Sequence, residues 1–380
     1  MIPIIKPVFG PEELAAVADV LRSGWVVQGP RVAAFEQAIA QATGAPHAVV
    51  VSSATAGLHL ALYVAGIGPG CDVLVPSLSF IATTNAVWMA GANPVFADVA
   101  PDMPNVSAET LDHAWTPATR AVIAVHQLGL PFDREGIAAL CASRGAVLIE
   151  DAACAMGSRY RGQPIAQDCE LAVFSFHPRK VVTTGEGGAV VTSRPQWAER
   201  LSLLRQHGMS LATDRRHASA AVEAYSEPGW NYRMTDLQAA IGVVQMARLP
   251  AIVARRRHVA ARYDALLQDC WDVAPLQPHR DDTWNAQTYG LCVAPDGRTG
   301  ATPGARRDAV LALLQARDIG ARRGILAAHL EPAWRNHPRG PLPCSEAWAA
   351  QSLALPVHEH ISEEEQNYIV ATLREALAST

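Results

Sequence analysis

Between Gln37 and Ala97 the chain carries one charged residue, Asp72. Water would meet a large apolar surface if such a stretch were exposed, so it must be buried in the subunit core or against another subunit. A membrane span is excluded, because Pro46, Pro69, Pro76 and Pro94, with recurrent Ser, Thr, Asn and Gly, interrupt every run of about 20 apolar residues. Only 18% of the 380 residues are charged and 49% are hydrophobic, where ordinary domains carry about 25% charge. This composition excludes disorder and provides for two domains with sizeable cores. A net charge of −5 argues against general affinity for nucleic acid or anionic membrane, yet leaves room for a local basic pocket that takes one phosphorylated ligand. The start, MIPIIKPVFGPEEL, lacks the basic flank and apolar core of a secretory signal. Seven widely spaced cysteines without a CxxC pair suggest neither a disulfide framework nor a zinc site, and no His/Cys/Asp/Glu set has metal-ligand spacing. Reducing cytoplasm is the simplest compartment.

Strand-like and helix-like stretches alternate, which predicts an α/β fold with a largely parallel sheet. Seven short apolar or β-branched runs are the candidate strands: His47–Val51, Asp72–Pro76, Pro94–Ala97, Ala121–Val125, Ala146–Ile149, Leu171–Phe176 and Ala189–Thr192. Helices are predicted from Pro11 to about Arg22, and over Thr55–Ala65, Thr83–Ala90, Arg134–Ser143 and Gln196–His207. After Thr235 the pattern is helical as far as an Arg-rich stretch near Arg255–Leu267, and a smaller second domain follows. Its last helix opens with Ser362 and Glu365 at capping-box spacing. The expected division is an N-terminal segment 1–12, a large domain 13–247 and a small domain 248–380.

Three local patterns carry chemistry. Asp151 closes the apolar run VLIED, at the strand end where open α/β sheets hold ligands, although an Asp there also serves as a turn or cap. Lys180 follows a strand ending in Ser175 and Phe176 and precedes the Gly-rich turn TGEGG. Held between two strands, its amine would be partly desolvated and a better nucleophile toward a carbonyl; an exposed loop lysine is the bland alternative. In VVVSSATAGLHL a strand runs through Ser, Ala and Thr into a helix, whose free N–H groups suit a phosphate, while Ser as an ordinary N-cap explains the same residues. The combination of anion seat, lysine and strand-end carboxylate matches pyridoxal phosphate.

These residues sit in longer blocks: SGWVVQGPRVAAFE at 23–36, SSATAGLHLAL at 52–62, VPSLSFIATTNAV at 75–87, VHQLGLPFD at 125–133, IEDAACAMGS at 149–158, FSFHPRKVVTTGEGG at 174–188 and GWNYRMTDLQAAIG at 229–242. Across nearly its whole length the chain resembles the DegT/DnrJ/EryC1/StrS sugar aminotransferases, within the fold-type I, aspartate aminotransferase-like enzymes. The resemblance implies a large domain with a seven-stranded, mostly parallel sheet and a smaller α/β C-terminal domain. It implies pyridoxal 5′-phosphate, cycling through pyridoxamine 5′-phosphate, with Lys180 as the Schiff-base lysine and proton carrier and Asp151 paired with the pyridinium nitrogen. Phe80 would lie over the ring; Ala54, Thr55 and Ser175 would hold the phosphate; and Asn231 would reach the phosphate from the partner subunit of a homodimer with shared active sites. Cys154 stands beside the cofactor where many relatives have Gln or His, and Leu128 replaces a frequent Tyr at the pocket edge. Arg233 and His329 are substrate-side candidates. His177 would face pocket or interface, Glu186 would order its turn, and Arg255 to Arg257 read as a solvated helix face.

The lysine at 180 separates the chain from the family's deoxygenating dehydratases, which carry His there. The activity implied is transfer of an amino group, with L-glutamate the usual donor, to the ketone of a nucleotide-linked keto-deoxysugar. Alternatives are a cyclitol or other antibiotic-precursor ketone, or a regulatory homologue without turnover, against which the intact Lys180, Asp151 and GEGG turn speak.

Overall fold

The computed structural model describes residues 1–210, 224–279, 281–294 and 303–380. Its main sheet has seven strands: β1 (His47–Val51), β2 (Asp72–Pro76), β3 (Asn93–Ala97), β4 (Thr119–Val125), β5 (Val147–Asp151), β8 (Leu171–Ser175) and β9 (Gly188–Thr192), with a small β6 (Arg159–Tyr160) and β7 (Gln163–Pro164) ribbon between the fifth and sixth of these. The spatial order is β1-β9-β8-β5-β4-β2-β3. All neighbours pair in parallel except β9, which runs antiparallel to both β1 and β8. Each of the seven predicted runs forms one of these strands. They were recognisable as continuous apolar runs because helices cover both faces of a parallel sheet.

Those helices are α1 (Pro11–Ser23), α2 (Pro30–Thr43), α3 (Ala54–Val64), α4 (Ala82–Met89), α5 (Ala108–His113), α6 (Arg134–Arg144) and α7 (Pro195–Leu204). The helix α8 (Asp236–Leu267) packs its first half on α1 and α2 and continues beside the second sheet. One unbroken helix therefore crosses position 247/248, where the two domains were expected to divide. Although long and apolar enough to cross a membrane, α8 is a core helix. The Asp236 carboxylate, at its first turn, accepts hydrogen bonds from the N–H groups of Gly29, Arg31 and Val32 and so caps α2.

Beyond it lies a four-stranded antiparallel sheet of β10 (Val273–Pro275), β11 (Tyr289–Val293), β12 (Arg322–Arg323) and β13 (Ser352–Leu355), in the order β10-β11-β13-β12, with α9 (Pro303–Ala316), α10 (Pro343–Gln351) and α11 (Glu363–Ser379). The expected capping box opens α11: Ser362 Oγ accepts from Glu365 N, and Glu365 accepts from Ser362 N.

Two readings change. Arg256 is 2% exposed rather than solvated, donating to the carbonyls of Ala286 and Gln287 and pairing with Glu359. Successive helix residues are 100° apart, so three consecutive arginines cannot share one face. Leu128, expected at the pocket edge, is buried in the core with a left-handed backbone (φ 56°), and its carbonyl accepts from Trp284 Nε1.

Candidate active site

The phosphate-like seat is built where β1 meets β9. Ser53 caps α3, its Oγ accepting from Ala56 N at 3.1 Å. Ala54 and Thr55, in the first turn, have no i−4 carbonyl to donate to, and the helix dipole adds positive potential there. Gly188 stands opposite Val51 of β1 and Ser175 of β8 in the sheet, which brings the Ser175 hydroxyl to the same end as the α3 N–H groups. A Cβ on Gly188 would lie 2.5 Å from Ala54 N, so only glycine lets the turn and the helix start approach this closely. The N-cap reading of this segment is what the structure shows, and the free N–H groups of Ala54 and Thr55 lie beside it.

Because β8 and β9 are antiparallel neighbours, the segment 176–187 returns directly from one to the other and is tied at its base. Phe176 N donates to Gly187 O, Thr184 N and Thr183 Oγ1 donate to Phe176 O, and Val181 and Val182 are buried. Lys180 is half-buried, and its Nζ lies 3.1 Å from Cys154 Sγ. A second anchor comes from the β10–β11 connection: Gln287 accepts from Val181 N at 2.9 Å and donates to Arg179 O, holding the peptide groups on both sides of the lysine. Asn285 donates to the carbonyls of Cys154 and Met156. Neither Asn285 nor Gln287 was singled out in the sequence, where nothing local marks them.

Asp151 ends β5 next to this loop. Its Oδ2 accepts from Thr83 Oγ1 at 2.8 Å and its Oδ1 from Ala153 N at 3.1 Å, and Ser79 Oγ lies 2.9 Å from the Thr83 hydroxyl. Burial pushes the Asp151 carboxyl above its ordinary value, against the hydrogen bonds of Thr83 and Ala153 and the charges of Lys180 and His126. A cation brought to this carboxylate would relieve that cost. Phe80 is 67% exposed although its neighbours Leu78, Ser79 and Thr83 are buried, a lone aromatic face left open above the same strand ends.

Asn231 is exposed and bridges to Gln206, while the neighbouring Tyr232 carbonyl accepts from Ser52 N; Arg233 is half-buried. His177 is half-exposed, its Nε2 3.9 Å from Glu186, whose carbonyl accepts from Thr184 Oγ1 and Gln238 Nε2 within the turn. His329 is fully buried, with its ring nitrogens on the Ser77 hydroxyl and Glu346. That placement joins the small sheet's segment to the end of β2 and leaves no ring edge for a ligand.

Free N–H groups at a helix start, an amine, a buried carboxylate and an open aromatic face are a donor set that fits pyridoxal phosphate. A model of the DegT/DnrJ/EryC1/StrS aminotransferase family matches residues 7–374. The chain belongs to that family. Its fold is shared by the aminotransferase TlmJ of Streptoalloteichus hindustanus, 34% identical with a TM-score of 0.91 over 100% of this chain and 99% of that one. It is also shared by Spr1654 of Streptococcus pneumoniae, a putative sugar aminotransferase solved in its PMP form, 27% identical with a TM-score of 0.92 over 100% of both chains. A third, DesV of S. venezuelae, solved in complex with a ketimine intermediate, is 34% identical with a TM-score of 0.88 over 97% of this chain and 94% of that one. This DegT-family chain is thus a fold-type I, pyridoxal phosphate-dependent aminotransferase. When bound, the cofactor supplies the electron sink that lets an amino group leave one carbon and join another.

Proposed function

We propose that the enzyme moves an amino group from L-glutamate to the ketone of a nucleotide-linked keto-deoxysugar, as a homodimer with shared active sites. The observation that supports this most is the meeting of Lys180 Nζ, Cys154 Sγ and the Asp151–Thr83 pair at one end of the sheet, in a family that includes sugar aminotransferases. Lys180 holds the cofactor through Nζ and carries the proton between the donor carbon and the cofactor. Asp151 faces the ring nitrogen and keeps it protonated. Phe80 covers the ring, and Ala54, Thr55 and Ser175 take the phosphate. Asn231 completes that phosphate seat in a second copy of the chain, with Arg233 close by, and Cys154 takes the place beside Nζ that Gln or His fills in many relatives.

The test is an assay of purified enzyme with L-glutamate and a panel of nucleotide-linked ketosugars, read as 2-oxoglutarate formed. At least one sugar should turn over, and Lys180→Ala should abolish both turnover and the visible absorption of the lysine-bound cofactor. Turnover of a cyclitol ketone alone would change the substrate class. No amino transfer from any donor by cofactor-loaded protein would overturn the reading.

A further inference from the structure

A thiol and an amine from different elements meet beside β5, and one frame holds the backbones that carry them. Lys180 Nζ lies 3.1 Å from Cys154 Sγ. Asn285 donates to the Cys154 carbonyl, Gln287 accepts from Val181 N and donates to Arg179 O, and the Gln287 N–H donates to Asn285 Oδ1. Two side chains of one short segment thus fix both backbones at a set separation. Of the seven cysteines, Cys154 is the one with an amine in hydrogen-bond reach among the described residues. Cys141, Cys169 and Cys270 are buried. Burial pushes the thiols of Cys141, Cys169, Cys292 and Cys344 up, which suppresses their reactivity. Cys154 is half-buried and faces a second cation besides Lys180. Burial and the charge of Arg179 push the Arg322 guanidinium of β12 down, and the Cys154 thiol acts the other way, so positive charge from β12 also reaches this sulfur. Peroxide oxidises accessible thiols flanked by cations in preference to buried ones.

We propose that Cys154 and Lys180 are a modification site, joined by peroxide into a reversible sulfur–nitrogen cross-link. Hydrogen peroxide transfers one oxygen to Sγ, turning S–H into S–OH, and its other oxygen leaves as water. The Nζ lone pair then attacks sulfur and the S–O bond breaks. The departing hydroxide takes a proton from nitrogen as a second water, and an S–N bond remains. Sulfur is oxidised by two electrons and peroxide is reduced by two. The lysine's flexible four-carbon stem closes the 3.1 Å contact while the backbones stay fixed. A small thiol reverses the link: its attack on sulfur frees Nζ and leaves a mixed disulfide, and a second thiol releases Cys154. The reaction needs a free amine, so it is open when the cofactor carries the amino group and closed when the cofactor is bound to Nζ. Peroxide would then stop the enzyme between its two half-reactions.

This dependence on the cofactor's form rests on the proposed attachment to Lys180, whereas the link itself rests on the Sγ to Nζ geometry. Wild type loaded with pyridoxamine 5′-phosphate and wild type loaded with pyridoxal 5′-phosphate are treated with hydrogen peroxide and mapped by mass spectrometry without reductant. In the pyridoxamine form, the peptides holding Cys154 and Lys180 should appear joined, about 2 Da below their summed mass for the two hydrogens lost. The pyridoxal form should yield few joined peptides, and Cys154→Ser none in either form. Dithiothreitol should separate the joined pair and restore the visible band on addition of pyridoxal 5′-phosphate. A pyridoxamine form in which Cys154 is untouched, or carries added oxygen while Lys180 stays free, overturns the cross-link. So does a joined pair that dithiothreitol leaves intact. Equal joining in both forms would remove Lys180 from the cofactor and leave the cross-link standing. An enzyme inert toward every amino donor that still joins the two residues would sink the transamination reading alone.

Discussion

One amide side chain holds the peptide groups on both sides of Lys180. Gln287 is itself fixed: its N–H donates to Asn285 Oδ1 at 2.9 Å, its carbonyl accepts from the buried Arg256, and the intervening Ala286 has a left-handed backbone (φ 52°). Replacing Gln287 with Leu strands the buried Val181 N–H, at about 1–3 kcal/mol, and releases the part-buried Arg179 carbonyl. It also frees the lysine backbone. Gln287→Leu should lower the melting temperature, weaken pyridoxal phosphate binding about tenfold or more, and shift the pH midpoint of the visible band. Gln287→Glu accepts from Val181 but cannot donate to Arg179, so it should recover part of the affinity. Spectrophotometric titration decides the matter: a lower melting temperature with unchanged cofactor affinity and band midpoint would reduce Gln287 to scaffold. The contrast with Lys180 and Asp151 shows what a sequence discloses. Those two are charges set against apolar runs and a glycine turn, so their surroundings are local and readable. Gln287 and Asn285 act across contacts more than a hundred residues long, and no neighbouring pattern marks them.

Strand β5 carries adjacent buried carboxylates on its two faces, and they shift in opposite directions. Asp151, with two hydrogen bonds, is pushed up by burial. Glu150 feels the same burial, but the hydrogen bond and charge of His126 and the charge and hydrogen bond of Arg134, whose Nε is 2.7 Å away, hold it below its ordinary value. A carboxyl lowered in the folded state contributes stability above the unfolded value of about 4.3 and loses it as pH falls through the folded value. Acid unfolding should therefore begin below about pH 4 through Glu150. Arg134→Leu should bring its onset to higher pH and cost about 3 kcal/mol at neutrality, the low end for breaking a buried pair because the arginine is partly exposed. Equilibrium denaturation against pH checks this; an unchanged acid limb would mean that His126 alone sustains the carboxylate. Strands were legible as elements because burial on both faces writes itself as unbroken Val, Ile, Leu and Ala. Their antiparallel exception was not, since β9 reads like its parallel neighbours, and its direction is set by the short return that also positions Lys180.

At the scale of the whole molecule, the nearly uncharged stretch from Gln37 to Ala97 does two things. It builds β1, β2, β3 and the helices on them, and it leaves Phe80, Trp88 and Met89 exposed on α4 and just before it. Large aromatic surface next to a ligand site is covered more economically by a second subunit than by water. The proposed dimer should sediment at about twice 40.5 kDa. Its shared sites make a sharper claim, because Lys180 and Asn231 then come from different chains at each site. Lys180→Ala and Asn231→Ala proteins, each nearly inactive alone, are mixed, exchanged and assayed. In a heterodimer of the two, one site carries both lesions and the other carries neither. Random exchange makes half the dimers mixed, so about a quarter of wild-type activity should return. With Lys180 and Asn231 in one chain, every site would carry a lesion. Activity that stays at the sum of the parents after exchange is verified by mass would therefore rule out the shared arrangement.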